Sequence, residues 1–207
     1  MRFDEPLNDI FASGTHVKIL RALCALPAEV AVSGRDLARR AGVSHPRAGQ
    51  VLAELAAQGV AAVQRLPRTD LYRLNREHAL AEVLIRLFAR ESHLKFEFLS
   101  LIAKELRRRR LPITQARIFG TAARGGMTSS SDVDLALVCP RDSVPAVEAA
   151  AQELSDTVRK RFGTRLNVLV GSPSLKILSR EGRPGRSVWS AIEREGIDVS
   201  PESAAAG

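Results

Sequence analysis

Residues 118–138 read IFGTAARGGMTSSSDVDLALV, and the organisation of the C-terminal half follows from this stretch. Ala116–Phe119 is a short apolar run, and Gly120 ends it and opens a helical turn beginning at Thr121. Val133–Cys139 is a second apolar run closed by Pro140, so it reads as a buried strand. Outward from there, Ser143–Phe162 reads as an amphipathic helix with Val147, Ala150, Leu154 and Val158 on one stripe and Gly163 as its cap. Leu166–Val170 is a third strand, followed by Gly171-Ser172-Pro173. One or two short helices and a disordered Ser-Ala-Ala-Ala-Gly end are expected to follow. Strand and helix alternate, so residues 112–207 are expected to form a small mixed sheet with helices.

The chemistry lies in the polar residues of the same stretch. Asp132 and Asp134 are two apart on a strand, so both carboxylates point to one face. Two carboxylates so placed can hold Mg²⁺, or Mn²⁺, against triphosphate oxygens. The backbone at Gly120 and the Thr121 hydroxyl stand where a helix begins, and free N–H groups there suit anionic oxygens. Arg124 can serve a phosphate or simply charge the helix surface, and the residues leave both readings open.

With Gly120, Thr121, Ala123, Arg124, Gly125, Ser131, Asp132, Asp134 and Leu135 in this order, the segment resembles the nucleotidyltransferase superfamily of the DNA polymerase β type, in its minimal branch. The resemblance covers roughly residues 115–199. It implies a nucleoside triphosphate and a divalent metal, with Gly120, Thr121, Arg124 and Ser131 on the nucleotide and Asp132 and Asp134 on the metal. It also implies transfer of a nucleotidyl group to an acceptor hydroxyl, with a protein as one acceptor class. Active members of that family carry a third carboxylate on a later strand. The matching strand here is Arg165–Val170, and its counterpart is Asn167. An amide oxygen ligates weakly and cannot take a proton. Asp142, beyond the second strand, is the one nearby acidic replacement. Catalysis by Asp132, Asp134 and Asn167 is thus open, and the alternative is a regulator whose degenerate domain senses a nucleotide or mediates dimerisation.

The N-terminal half follows another pattern. Thr15 is placed to cap a helix carrying Val17, Ile19, Leu20, Leu23 and Leu26. Ser33 caps a second helix, Gly34–Ala41, and Gly42 permits the turn into a third helix capped by Ser44, with Pro46 in its first turn. Val51, Leu52 and Leu55 form the core face of that third helix, which leaves His45, Arg47, Gly49 and Gln50 exposed at its start. Val60–Arg65, the turn 66–69 and Asp70–Leu74 then read as a hairpin bearing Arg65, Arg68 and Arg73. This segment resembles winged helix-turn-helix transcriptional regulators. The resemblance implies double-stranded DNA as partner, with Ser44, His45, Arg47 and Gln50 at the major groove and Arg65 and Arg68 on flanking phosphates. For His45, base contact and plain surface exposure are equally open.

Between the two lies a helical pattern, roughly 77–110, with Leu80, Leu84, Leu87, Leu94, Phe98, Ile102 and Leu106 near heptad spacing and a gap at Glu91. It serves either as packing for its own domains or as the seam of a homodimer, which would suit a palindromic DNA site. Leu111-Pro112 stops it, giving expected divisions 1–76, 77–111 and 112–207. Arg107–Arg110 is expected to be a solvated helix end or an extension of the DNA footprint.

Charge agrees with this division. The chain has 207 residues and a formal net charge of +8. Residues 1–110 hold 19 Lys/Arg and 12 Asp/Glu, and residues 111–207 hold 12 and 11, so the excess belongs to the first half. Within residues 35–76 there are 8 basic and 3 acidic residues, which concentrates it further. Cys24 and Cys139 are the only cysteines and sit in separate apolar runs, which excludes a zinc cluster or a disulfide framework and points to a reducing compartment. The chain offers no signal core and no membrane-length apolar run, so a cytoplasmic location is expected.

Overall fold

The computed structural model describes residues 4–125, 127–128, 131–172 and 188–200. The expected disorder of residues 203–207, Pro173 and any helix within 173–187 lie outside the described residues. The chain is a mixed α+β protein of two compact units, Met1–His93 and Leu94–Gly207, and the division falls inside one helix.

The first unit begins with α1 (Leu7–Ile10) and α2 (Gly14–Cys24). The cap of α2 is Ser13 and not Thr15: the Ser13 hydroxyl accepts from the His16 backbone N–H. Starting one residue before Thr15 puts His16, Ile19, Leu20 and Leu23 on the buried face. A strand too short to read from the sequence, β1 (Val32–Ser33), leads into α3 (Gly34–Ala41). Ser33 caps α3 as expected, accepting from the Asp36 N–H, and Gly42 takes a left-handed φ of 62°. Helix α4 (His45–Ala57) begins after Ser44, which occupies the cap position without a side-chain capping bond. That departs from expectation and leaves the Ser44 hydroxyl outside the helix ladder. Strands β2 (Ala61–Arg65) and β3 (Asp70–Leu74) form the hairpin, and β1 adds to β3, giving the order β1-β3-β2. Ala48, Val51, Leu52 and Leu55 of α4 pack with Ile19, Leu20, Leu23 and Leu37 into one core. Truncating one such leucine typically costs ~2–5 kcal/mol.

Helix α5 (Ala81–Arg108) divides its apolar residues. Ala81, Leu84 and Phe88 join the first core, whereas Ile102 and Leu106 join the second. Leu87 and Leu94 stay exposed, as does Val83. The gap at Glu91 has a structural use: its carboxylate takes two hydrogen bonds from Arg21, at 2.6 and 2.8 Å. The basic end is not uniformly solvated. Arg109 is largely covered and pairs with Glu153, while Arg108 pairs with Glu105.

The second unit is built on a four-stranded sheet of order β6-β5-β4-β7. Its members are β4 (Gln115–Phe119), β5 (Val133–Val138), β6 (Leu166–Gly171) and β7 (Ile197–Asp198). Strands β4 and β5 are antiparallel, β5 and β6 are parallel, and β7 returns antiparallel to β4. The parallel crossover is α7 (Val144–Phe162), entered through a 3₁₀ turn at Arg141–Ser143 and ended by Gly163 at φ 70°. Its buried stripe is Val147, Ala151, Leu154 and Val158, so Ala151 stands where Ala150 was expected. Positions 147, 151, 154 and 158 follow the 4-3-4 spacing of one helix face. These side chains meet Ile118, Val133, Leu135 and Leu137 on one face of the sheet. The short α6 (Thr121–Arg124) follows β4, and α8 (Val188–Glu195) precedes β7. The Trp189 ring of α8 lies so close to Gly171 that an added Cβ would come within 2.5 Å of it.

Candidate functional site

Sheet register brings the site together. Asp134 on β5 stands opposite Phe119 on β4 and opposite Asn167 on β6. Because side chains alternate along a strand, Val133 and Leu135 enter the core while Asp134 faces the other way. Asp132, just before β5, keeps that alternation. The Asn167 amide nitrogen is 3.5 Å from Asp132 Oδ2 and 3.4 Å from Asp134 Oδ1. These are long bonds beside a typical ~2.9 Å, so one amide spans both carboxylates without closing tightly on either. The three polar side chains are thus gathered at one end of the sheet, with the two carboxylates half-buried and Asn167 exposed.

Gly120 completes this end. It takes φ 73° and ψ −148°, and a Cβ there would fall 2.6 Å from Asp134 Oδ2. Any side chain would therefore meet both backbone strain and the carboxylate. Thr121 follows and is exposed. Helix α6 is a single turn, so its free N–H groups are few and its dipole is small.

The loop before Asp132 has its own fixings. The Ser131 hydroxyl accepts from the Thr128 N–H at 2.9 Å and shares a second bond with the Thr128 hydroxyl. The Ser131 carbonyl accepts from the Thr164 hydroxyl at 3.3 Å. Ser131 therefore shapes the approach to Asp132. Arg124 pairs with Glu195 of α8 at 3.1 Å. The Arg194 and Arg124 guanidiniums together hold the Glu195 carboxyl below its ordinary value. This partner, 71 residues away, was not foreseeable from local sequence.

Asp142 does not join the site. It lies in the 3₁₀ turn after the far end of β5, and the four strand steps from Asp134 to Val138 alone span roughly 13 Å. No group of three His, Cys, Asp or Glu side chains is gathered anywhere among the described residues. Two carboxylates and an amide are hard oxygen donors that fit Mg²⁺ or Mn²⁺, ions that usually take one or two carboxylates plus phosphate oxygens.

Residues 99–178 match the nucleotidyltransferase domain family. The matched segment holds β4, α6, β5, α7 and β6, and with them Gly120, Asp132, Asp134 and Asn167. Two solved structures show distant likeness. One is a toxin–antitoxin crystallised with AMP-PNP, at 16% identity and TM-score 0.36, covering 51% of this chain and 76% of that one. The other is TrmBL2, an archaeal chromatin protein described with a novel mode of DNA binding, at 20% identity and TM-score 0.29, covering 84% and 72%. No curated protein matches.

In the first unit, Ser44, His45, Arg47 and Gln50 are all exposed at the start of α4. Arg47 donates to the Gln50 side-chain oxygen at 2.5 Å, so the two form one polar group on the helix surface. Arg65 ends β2 opposite Asp70, and Arg68 sits in the exposed turn closed by Leu66 N–H to Thr69 carbonyl. A cleft of about 610 Å³ opens between α4 and the hairpin, with His45, Gly49 and Arg68 on its walls. Sequence reasoning missed two of its lining residues, Arg35 and Tyr72. Tyr72 pairs with Val32 in register, so the unrecognised β1 brings the start of α3, and Arg35, to this cleft. Gly49 has open space on its Cβ side, which leaves the α4 backbone approachable there.

Proposed function

We propose that the chain is a double-stranded-DNA-binding regulator whose nucleotidyltransferase domain binds a metal–nucleoside triphosphate and transfers its nucleotidyl group slowly or not at all. One observation carries the reading: the position facing both Asp132 and Asp134 is held by the Asn167 amide, 3.4–3.5 Å from each. An amide accepts no proton from an attacking hydroxyl. Asp132 and Asp134 would hold one Mg²⁺ or Mn²⁺, while Gly120 and Thr121 would meet the phosphates. When bound, the metal neutralises phosphate oxygens and polarises the phosphorus. Ser131 would position Asp132 through its bonds to Thr128, and Arg124 would leave Glu195 to reach a phosphate.

The DNA reading is supported by the exposed polar start of α4, the basic hairpin turn and the cleft between them. Exposed Val83 and Leu87 on α5 support a homodimer. The enzyme reading, transfer to a hydroxyl on a nucleic acid or protein acceptor, is favoured only if a substrate supplies its own base.

The deciding experiment is calorimetric titration of wild type with ATP, GTP, CTP and UTP in Mg²⁺ or Mn²⁺, paired with a pyrophosphate-release assay. Binding with one metal per chain and no sustained release is the expected result. Sustained release in the presence of an acceptor, abolished by Asp132→Ala, would establish the enzyme instead. Absence of binding for all four nucleotides would remove the nucleotide from the scheme.

A further inference from the structure

On the side of β5 opposite the carboxylates, the second unit contains an open cavity of about 400 Å³. This volume falls within the ~300–1,000 Å³ of ordinary small-molecule sites. Ile118 and Val133 form its floor, and both are core-facing residues of the sheet, whereas Asp134 projects from the other face. The cavity floor and the carboxylates therefore lie on opposite faces of β5, while Ala122 and Gly125 at the α6 turn also line the cavity.

Its walls have a particular chemistry. Phe98 and Phe162 line it and meet each other edge to face, with centroids 5.3 Å apart and rings at 80°. Leu99 extends the apolar wall, and Met127 stands at the rim, 46% exposed. An aromatic pair with an adjacent thioether suits a flat aromatic guest. One cation lines the opening. Lys95 lines it and is exposed, and no ion pair or hydrogen bond engages its ammonium among the described residues. Arg161 stands over the Phe162 ring, 5.7 Å from its centroid. The neighbouring carboxylate, Glu97, is paired with Arg161 at 3.8 Å.

We propose that this cavity is a binding site for a small aromatic anion, an arene carboxylate or sulfonate, seated on Phe98, Phe162 and Leu99 with its charge toward Lys95. The charge complementarity comes from Lys95, and the shape from the aromatic walls. A guest here would touch the segment that leads to Asp132. Met127 belongs to that segment, and Thr164, which also lines the cavity, donates to the Ser131 carbonyl. The pocket would fill whether or not Asp132 and Asp134 hold a nucleotide.

The probe for the test is 8-anilinonaphthalene-1-sulfonate, followed by fluorescence on the full chain. Wild type should show one saturable site. Lys95→Gln should weaken it about tenfold, the loss of one charge-assisted contact, and Lys95→Arg should restore it. Leu99→Trp should abolish it by filling the space, with an unchanged thermal transition as the control for folding. Lys95→Gln is a surface change and gives an answer even if Leu99→Trp does not fold. Phe96→Ser removes an exposed aromatic that is not among the lining residues, and Asp134→Ala removes the metal ligand. Neither should alter the affinity. The assignment is overturned if Lys95→Gln leaves the affinity unchanged, if Phe96→Ser abolishes it, or if Mg²⁺–ATP displaces the probe competitively, which would make the cavity part of the nucleotide site.

Discussion

Replacing Asn167 by aspartate tests the site most directly, because it adds a third carboxylate where the amide now spans the first two. The amide nitrogen lies 3.5 Å from Asp132 Oδ2 and 3.4 Å from Asp134 Oδ1. A carboxylate in its place sets two like-charge pairs at about 4 Å, each worth ~1 kcal/mol in water and ~4 at the effective dielectric of a protein surface. Since Asn167 is exposed, the lower part of that range applies, and the two pairs together cost roughly 2–4 kcal/mol. At about 4 °C per kcal/mol, the metal-free C-terminal unit should melt roughly 8–16 °C lower. Divalent metal should reverse the penalty, because three carboxylates bind it more tightly than two. Thermal melts of wild type and Asn167→Asp in EDTA and in Mg²⁺ or Mn²⁺ measure both effects, and pyrophosphate release measures any gain of turnover. A variant whose melting point neither falls in EDTA nor rises with metal would show that residue 167 does not face the carboxylates. Robust wild-type turnover that disappears in Asn167→Asp would contradict the proposed loss of catalysis.

Asp132→Ala or Asp134→Ala should abolish metal-dependent nucleotide binding and keep the fold, since both carboxylates sit outside the core; unchanged calorimetric affinity in both would place the nucleotide elsewhere. Gly120→Ala should lose nucleotide binding through displacement of the Asp134 carboxylate, and should cost about 1–3 kcal/mol of stability from the φ of 73° alone, read by denaturant titration. Arg68→Ala should weaken binding to every duplex and reduce the salt slope by about one unit, whereas Arg47→Ala or Gln50→Ala should cost about 1–3 kcal/mol at particular base pairs. Equal behaviour of Arg47→Ala and Arg68→Ala on selected and scrambled DNA would mean that a different face of α4 enters the groove. Burial raises the Cys24 thiol to about 11, so the folded thiol stays protonated while an unfolded one ionises near 9. Stability should therefore fall as pH rises from 9 to 11, and alkylation at pH 8 should be slow until denaturant is added; prompt labelling of the native chain would contradict the burial.

What the sequence disclosed depended on whether the deciding interaction was local. The helix between the second and third strands was legible because Pro140, the apolar positions Val147, Leu154 and Val158 and the closing Gly163 each act within a few residues, whereas the parallel pairing that it connects was not. Gly42 and the Ser33 cap were legible for the same reason. The cap of α2 was misplaced by two residues because Ser13 and Thr15 both qualify chemically. The choice is made by the tertiary position of His16, whose ring meets Ser13 on one side and Glu54 of α4 on the other. Strand β1 was missed since two residues carry no periodicity; only the register Val32 to Tyr72 reveals it, and with it Arg35 at the cleft.

The same distinction governs the site. Asp132 and Asp134 announce themselves by spacing, whereas Asn167 is singled out only by the resemblance, as the counterpart of the third carboxylate of active nucleotidyltransferases. That the amide reaches both carboxylates is a matter of register, Asp134 opposite Asn167, which sequence does not specify. The role of Arg124 was left open between phosphate ligand and surface charge, and the structure adds a competitor instead of choosing: Glu195, brought over by α8, occupies the guanidinium at 3.1 Å. Solvent screens exposed pairs of this kind, so a triphosphate could displace Glu195 readily. Arg124 is therefore better described as a side chain with two acidic partners to choose between than as a fixed member of the site. Its assignment turns on whether nucleotide is bound, a state that no spacing of residues 118–138 encodes.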